Sequence, residues 1–321
     1  MFQEEGSPSY RGIAVAHLWH ALLATGEIEL DRVLVAQGKG AADYLKANPR
    51  VRRQWDEGRY DLVHVHYGLT GLATLMLPSS ARMVASFYGS DMNLAWSRAI
   101  AVATTRRARR RVFVSQRLAD RWPDARNRVI PNGIDFDRVR PLDRAECCRA
   151  LGLDPAKRWI LFGGAPDNAV KQYPEFQNVM ELVRREVPSA AELVLTGGGT
   201  SHASVVQKLN AADVLLFTSR QGSEGSPTIV KEAIVVGTPV VTVDVGDVRE
   251  MLAGVEPSAV VPWPDRPSDP AARAGWREAL ARRVVAIVRD PRRSNGRELH
   301  GFLRQEEIAR RVLAVYREAL A

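Results

Sequence analysis

Residues 214–244 read VLLFTSRQGSEGSPTIVKEAIVVGTPVVTVD, and the way this run is punctuated decides the fold. Val214 to Phe217 is an apolar segment of strand length, and residues 218–226, rich in Gly, Ser and Gln, form the loop that leaves it. A helix is expected next. Ser226 is placed to cap it, Pro227 fits its first turn because the missing N–H has no helical partner there, and Gly237 with Pro239 ends it. Residues 240–243 then resume as a strand. Strand, helix and strand in this order make a crossover unit of a parallel α/β sheet.

The loop before such a helix lies at the carboxyl edge of the sheet, where the helix directs unpaired backbone N–H groups and its positive dipole end at a bound anion. A phosphate suits that place, surrounded by Gly225, Ser226, Pro227 and Thr228. Two carboxylates frame it, Glu224 just before the helix and Glu232 within it, with seven residues between them. From Pro227 to Glu232 the helix rises by roughly 7.5 Å, far enough to pass a phosphate and reach a second part of a ligand. A carboxylate accepts two hydroxyl hydrogen bonds at once. Glu232 therefore suits a ribose diol, and Glu224 the hydroxyls of a sugar beyond the phosphates.

Upstream, WILFGG at 159–164 reads as a strand running into a glycine turn at Gly164, and Lys171 follows. Its ammonium is placed to pair with a diphosphate as a compact charge; the plain alternative is a surface lysine. Residues 175–187 are an amphipathic helix and 191–196 a strand with a glycine turn at 197–199, and 200–213 leave room for one short helix. Nearer the N-terminus, residues 13–25 have helical spacing ending at Gly26, after a polar stretch with Gly12 at its end. Leu34, Val35 and Ala36 suggest a short strand, and YDLVHVH at 60–66 a clearer one. His64 and His66 share one face of it, but no Cys or carboxylate stands at a spacing that would complete a metal site. Residues 83–87 form a strand entering a tight turn at Tyr88, Gly89, Ser90 and Asp91, and 111–115 form another. Helices at 274–289 and 302–320 end the chain.

With 321 residues the chain suits two α/β domains, each able to bury its own core. No stretch approaches a membrane span and no signal pattern opens the sequence, which reads as cytoplasmic. Cys147 and Cys148 are adjacent and are read as free thiols. The net charge of +8 is densest at RRARRR, comprising Arg106, Arg107, Arg109, Arg110 and Arg111. A solvated helix end and peripheral contact with an anionic membrane face are the open readings of this run. Nucleic acid is disfavoured, because no aromatic platform or binding module accompanies the charge.

The E-x7-E spacing within SEGSPTIVKEA resembles the signature of family 4 retaining glycosyltransferases of the GT-B fold, and HVHYG at 64–68, GSD at 89–91 and VIPNGID at 129–135 are similar to other parts of that family. The resemblance covers nearly the whole chain. It implies two doubly wound, Rossmann-like domains facing a cleft: an acceptor-side domain at 1–137, a nucleotide-sugar domain at 138–300, and a terminal helix at 301–321 crossing back to the first. The family opens on an apolar strand before its glycine loop, so the amino domain is expected to lack its first strand. Gly12 is then the candidate loop glycine near the donor phosphates, with a plain linker glycine the alternative. Asp135, Phe136 and Asp137 spell a DxD, but inside the junction turn this is read as accidental rather than as a cation site.

The implied function is retaining, metal-independent transfer of a sugar from a nucleotide-diphosphate sugar to a hydroxyl of a glycan, glycolipid or small molecule, with no cofactor beyond the donor. Lys171 and the helix N-terminus would stabilise the leaving diphosphate. Gly12, Gly164, Gly225, Ser226, Pro227, Thr228 and Glu232 would hold the donor with Glu224. His66, Tyr88, Gly89, Ser90 and Asp91 would lie on the acceptor side. Two departures stand out: the family's Arg after the glycine turn is replaced by Ala165 and Pro166, and its His before Gly89 by Tyr88. They support a non-catalytic subunit that binds a nucleotide sugar or a partner as the alternative. A glycoside hydrolase or phosphorylase is a weaker rival, since its acids must flank a scissile bond and these bracket a phosphate site. A sugar-nucleotide epimerase would be told apart by its products.

Overall fold

Parallel strands covered by helices on both faces are apolar throughout rather than alternating. In the computed structural model, which describes residues 12–35, 41–195 and 201–321, MVASF, VLLF and VVTV are strands of this kind, buried along their whole length. The chain divides into two units. The first takes its described residues from Tyr10–Gly133 and Phe302–Ala321, and the second from Ile134–Gly301.

The sheet of the first unit has four parallel strands in chain order: β1 (Val63–His66), β2 (Met83–Phe87), β3 (Arg110–Phe113) and β4 (Asn127–Val129). Among the described residues no strand precedes β1. Leu34 and Val35, expected in a strand, are irregular, and Ala36 lies outside the described residues. Leu34 is partly exposed, and a run of three residues is too short to bury a face. Gly12 starts the helix Ile13–Ala24 with φ of 85°, a left-handed conformation that glycine adopts without steric cost. Leu18 and Leu22 of that helix pack against Ile308, Val312, Leu313 and Tyr316 of the terminal helix Gln305–Leu320.

The arginine run is a solvated helix end only in part: Arg106, capping the helix Ala95–Thr105, is exposed, whereas Arg110 and Arg111 turn inward. Arg111 is fully buried, 2.9 Å from Asp124 and stacked 3.7 Å over Trp122. Arg110 pairs with Glu318 of the terminal helix at 2.7 Å, and Arg107 donates to the carbonyls of Thr74, Leu77 and Pro78. Starting β3 inside the run forces this, because alternate strand residues face the interior. Only Arg106, Arg107 and Arg109 of the run are exposed.

The second unit has five parallel strands: β5 (Arg158–Phe162), β6 (Ala190–Val194), β7 (Val214–Phe217), β8 (Val240–Val243) and β9 (Ala259–Val261), in the order β6-β5-β7-β8-β9. The helix Thr228–Val236 between β7 and β8 ends at Gly237, whose φ of 78° supplies the left-handed cap. Its start differs from the expectation. Pro227 is the capping residue, and Ser226 offers no cap because its hydroxyl donates to Asp247 instead. Cys147 and Cys148 are free and buried, and burial raises both thiol pKa values. No helix among the described residues is long and apolar enough to cross a membrane.

Removing Asp124 would leave the Arg111 guanidinium buried without its carboxylate, a loss of about 3–5 kcal/mol. Asp124→Ala is therefore expected to lower the urea midpoint sharply, whereas Arg106→Ala, at an exposed position, should shift stability by less than about 0.5 kcal/mol. Equal midpoints for the two variants would show that the buried pair does not hold the first unit together.

Candidate active site

In the second sheet β5 lies between β6 and β7, so the chain leaves β5 toward one neighbour and later returns on its other side. Such a reversal opens a crevice at the carboxyl ends of the two strands where it occurs. The loops that follow β5 and β7 meet there. Lys171, at the end of the short 3-10 turn Ala169–Lys171, places Nζ 2.6 Å from Glu224 Oε1. Ser219 Oγ donates to the same oxygen at 2.7 Å, and the ammonium lies 4.9 Å from the centre of the Phe217 ring. Backbone contacts fix the two loops to each other: Thr218 Oγ1 donates to the Lys171 carbonyl, and the Arg220 N–H to that of Val170. Gly164 makes room for this arrangement, because a Cβ there would meet Lys171 Cγ at 2.5 Å.

Beside this crevice, the N-terminal turn of Thr228–Val236 has N–H groups without intrahelical acceptors. A third loop, after β8, supports that turn from behind. Gly246 has a φ of 57°, and a Cβ on it would come within 2.8 Å of the Gly225 carbonyl oxygen and 3.2 Å of Pro227 Cδ. The close approach brings Asp247 to the Ser226 hydroxyl. Asp247 and Lys231 are both buried. Burial raises the Asp247 carboxyl pKa, opposed by Lys231, and lowers that of Lys231 to about 8, opposed by Asp247 and Glu232. Each thus favours the other's charged form against the cost of desolvation.

Glu232 follows Lys231 on the helix and is also buried. Its Oε1 lies 2.8 Å from His202 Nε2, at the start of the helix His202–Ala211. Glu224 and Glu232 are therefore built into different contacts, one in the β5–β7 crevice with Lys171 and one facing His202.

The other sequence candidates belong to the first unit. His66 Nδ1 is 2.6 Å from the Tyr88 hydroxyl, and Ser90 Oγ is 3.1 Å from that of Tyr67. Asp91 is buried and accepts from the backbone N–H groups of Gly68, Tyr88 and Gly89, so its carboxylate holds the turn. The His64 ring lies tilted against that of His66, with centres 3.9 Å apart, and bonds to Ser86 and Tyr316. Burial lowers both imidazole pKa values, that of His66 to about 3, and raises that of the Tyr88 phenol, so all three are neutral near pH 7. At the junction, Asp135 accepts from the N–H groups of Asp137 and Arg138, which makes the DxD a turn. No group of three or more His, Cys, Asp and Glu side chains suited to a metal ion is assembled among the described residues.

Sequence reasoning named Lys171, Gly164 and Glu224 as separate donor-site candidates and did not foresee the Lys171–Glu224 pair, and it did not name Ser219, Lys231, Asp247 or His202. Lys231 carried a usable signal, since it sits on an otherwise apolar face of IVKEAIVV. His202, thirty positions before its partner, carried none. The glycine turn at 197–199 lies outside the described residues.

Residues 13–138 match the family described as Glycosyltransferase Family 4, and residues 198–276 match Glycosyl transferases group 1. Among curated proteins, the chain is 27% identical over 301 residues to D-inositol 3-phosphate glycosyltransferase of Actinosynnema mirum, covering 75% of this chain and 71% of that protein. Matches to two further curated relatives span 63% and 55% of their lengths. Among solved structures, sucrose-phosphate synthase of Thermosynechococcus elongatus superposes with a TM-score of 0.71 at 17% identity, covering 98% of this chain and 97% of that one. Anabaena HepE in complex with UDP and glucose gives 0.65 at 14% identity, covering 98% of each chain. With the two family matches on one chain and two parallel α/β sheets of the same architecture, the protein belongs to the family 4, group 1 glycosyltransferases of the GT-B fold.

Proposed function

We propose that the protein transfers a sugar from a nucleotide-diphosphate sugar to an acceptor hydroxyl, with retention of anomeric configuration and without a metal ion. The observation that carries this reading is the Lys171–Glu224 pair at the carboxyl ends of β5 and β7, beside the N-terminal turn of Thr228–Val236. Without donor the two side chains neutralise each other. On binding, the diphosphate takes the ammonium and the helix N–H groups, and the sugar hydroxyls take the Glu224 carboxylate. Each charge exchanges one partner for another, so neither is left desolvated and unpaired. As the bond from sugar to diphosphate breaks, negative charge grows on the leaving oxygen. Lys171 and the helix dipole meet it with fixed positive potential, which is the role a metal ion would otherwise fill. Glu232 holds the ribose diol.

Acceptor recognition is proposed for His66, Tyr88, Gly89 and Ser90 of the first unit, all neutral hydrogen-bonding groups suited to sugar or cyclitol hydroxyls. The Actinosynnema relative, named for D-inositol 3-phosphate, supports a small-molecule acceptor. A cytoplasmic location and peripheral contact with anionic lipid complete the proposal. Arg106, Arg107 and Arg109 are the exposed members of the run that would meet the lipid surface.

Calorimetric titration with UDP, GDP, ADP and TDP in the presence of EDTA is expected to select at least one diphosphate. Glu232→Ala should weaken it by roughly 10- to 100-fold, the effect of losing about 1.5–3 kcal/mol of charge-assisted hydrogen bonding. Lys171→Ala should lower kcat/KM by a similar factor. NMR of the first-formed product should show the donor's anomeric configuration; an inverted product, or activity abolished by EDTA, would overturn the mechanism. For the lipid contact, cosedimentation with phosphatidylglycerol vesicles should fall when Arg106 and Arg109 are both changed to Glu, and no change would remove that part of the reading.

A further inference from the structure

His202 lies outside every role assigned so far, yet it touches the buried carboxylate of the nucleotide half of the site. Ser201 caps the helix by accepting from the Ser204 N–H, so the first residue, His202, is held at a defined place. The imidazole remains about one-fifth exposed and the Glu232 side chain one-tenth, with Nε2 and Oε1 2.8 Å apart. Among the described residues, Glu232 of the neighbouring helix bonds the ring, and Asp135 and Arg138 of the junction segment, which pair with each other at 3.4 Å, act on its charge from further off.

We propose that His202 is a positioning residue for the donor ribose, fixing one oxygen of Glu232 so that the carboxylate meets the 2′- and 3′-hydroxyls in a set orientation. This rests on the assignment of Glu232 to ribose made above. A glutamate side chain has three rotatable bonds, and a ligand that must order it loses affinity in doing so. The N–H of His202 removes that freedom before the nucleotide arrives. Each carboxylate oxygen has two acceptor positions, so one on Oε1 and two on Oε2 remain, enough for a diol.

The pair also gives the site a pH dependence. Hydrogen bonding to Glu232 raises the His202 pKa against burial, which lowers it; Asp135 adds to the rise and Arg138 opposes it. Below the raised pKa the ring is an imidazolium and its bond to Glu232 is charge-assisted, so the carboxylate is held most firmly for the ribose hydroxyls. As pH rises through that pKa, the ring keeps one N–H but loses the charge. The ribose-dependent part of the affinity is therefore greatest on the acid side and declines as pH rises through the His202 pKa. Lys231, buried beside Glu232 with its pKa lowered to about 8, adds a separate decline at the alkaline end.

The test is calorimetry with UDP, GDP, ADP and TDP between pH 5.5 and 8.5 on the wild type, His202→Ala and His202→Gln, repeated with the 2′,3′-dideoxy form of the diphosphate that binds. His202→Ala should weaken the natural diphosphate roughly tenfold and leave the dideoxy form unchanged. The Gln amide can still donate to Glu232 but cannot ionise, so His202→Gln should restore affinity to within about threefold and flatten the pH profile relative to the wild type. Equal binding by the wild type and His202→Ala, an equal loss for the dideoxy form, or an unchanged pH limb in His202→Gln would each overturn the proposal while leaving the donor site standing. If no diphosphate binds to the wild type at any pH, the ribose assignment falls and this inference with it.

Discussion

A parallel strand whose neighbours are reached by connections running in opposite directions has an end that neither connection covers. In this protein that strand is β5, with β6 on one side and β7 on the other. The loops after β5 and β7 therefore turn toward each other, and the polar groups they carry must satisfy one another or a ligand. Lys171, Ser219 and Glu224 do the former, through contacts of 2.6 and 2.7 Å. Everything else in the candidate site is arranged around this opening: Gly164 clears space for the lysine stem, Gly246 lets the β8 loop press against Gly225, and the helix Thr228–Val236 brings its positive end alongside.

A second layer of charge lies beneath the loops. Lys231 and Asp247 are out of contact with solvent, a placement that costs free energy unless each finds an opposite charge or a hydrogen bond nearby. Asp247 takes the Ser226 hydroxyl, which ties the β8 loop to the residue just before the capping proline. That hydroxyl is then committed, so an anion at this helix start would meet backbone N–H groups rather than the serine side chain. The first unit shows the same economy in a neutral form. His64, His66, Tyr88, Ser86 and Tyr316 form a partly buried cluster of hydrogen-bonding groups without net charge, joining β1, β2 and the terminal helix.

The two departures from the family pattern sit in different environments. Ala165 and Pro166, where the family has an arginine, fall in the loop that carries Lys171, so the lysine's charge is shared with Glu224 rather than reinforced by a second cation. Tyr88 replaces an imidazole by a phenol whose pKa burial raises, and it bonds to His66, itself held neutral. On the proposed mechanism, the first change leaves Lys171 without a second cation beside a leaving diphosphate. The second leaves hydrogen bonding at that position intact while removing the chance of a positive charge.

Local chemistry was legible wherever a residue's neighbours in sequence are also its neighbours in space. The crossover at 214–244, the glycine that ends its helix, the apolar strands and the identity of Glu224, Glu232 and Lys171 as candidates all follow from spacing, turn chemistry and charge. The start of that helix was misread because Ser226 had a partner twenty-one residues away, and a distant acceptor is invisible to capping rules. The same holds for Arg111, which reads as one charge in a polar run until β3 turns it inward against Asp124, and for Leu34 and Val35, whose strand-like composition meets no partner strand. Sequence by itself determined the two α/β units and which residues could serve chemistry, because propensity and period act over a few residues. Which carboxylate faces Lys171 and which faces His202 was decided only by tertiary structure, because strand order and helix packing bring together side chains fifty-three and thirty positions apart.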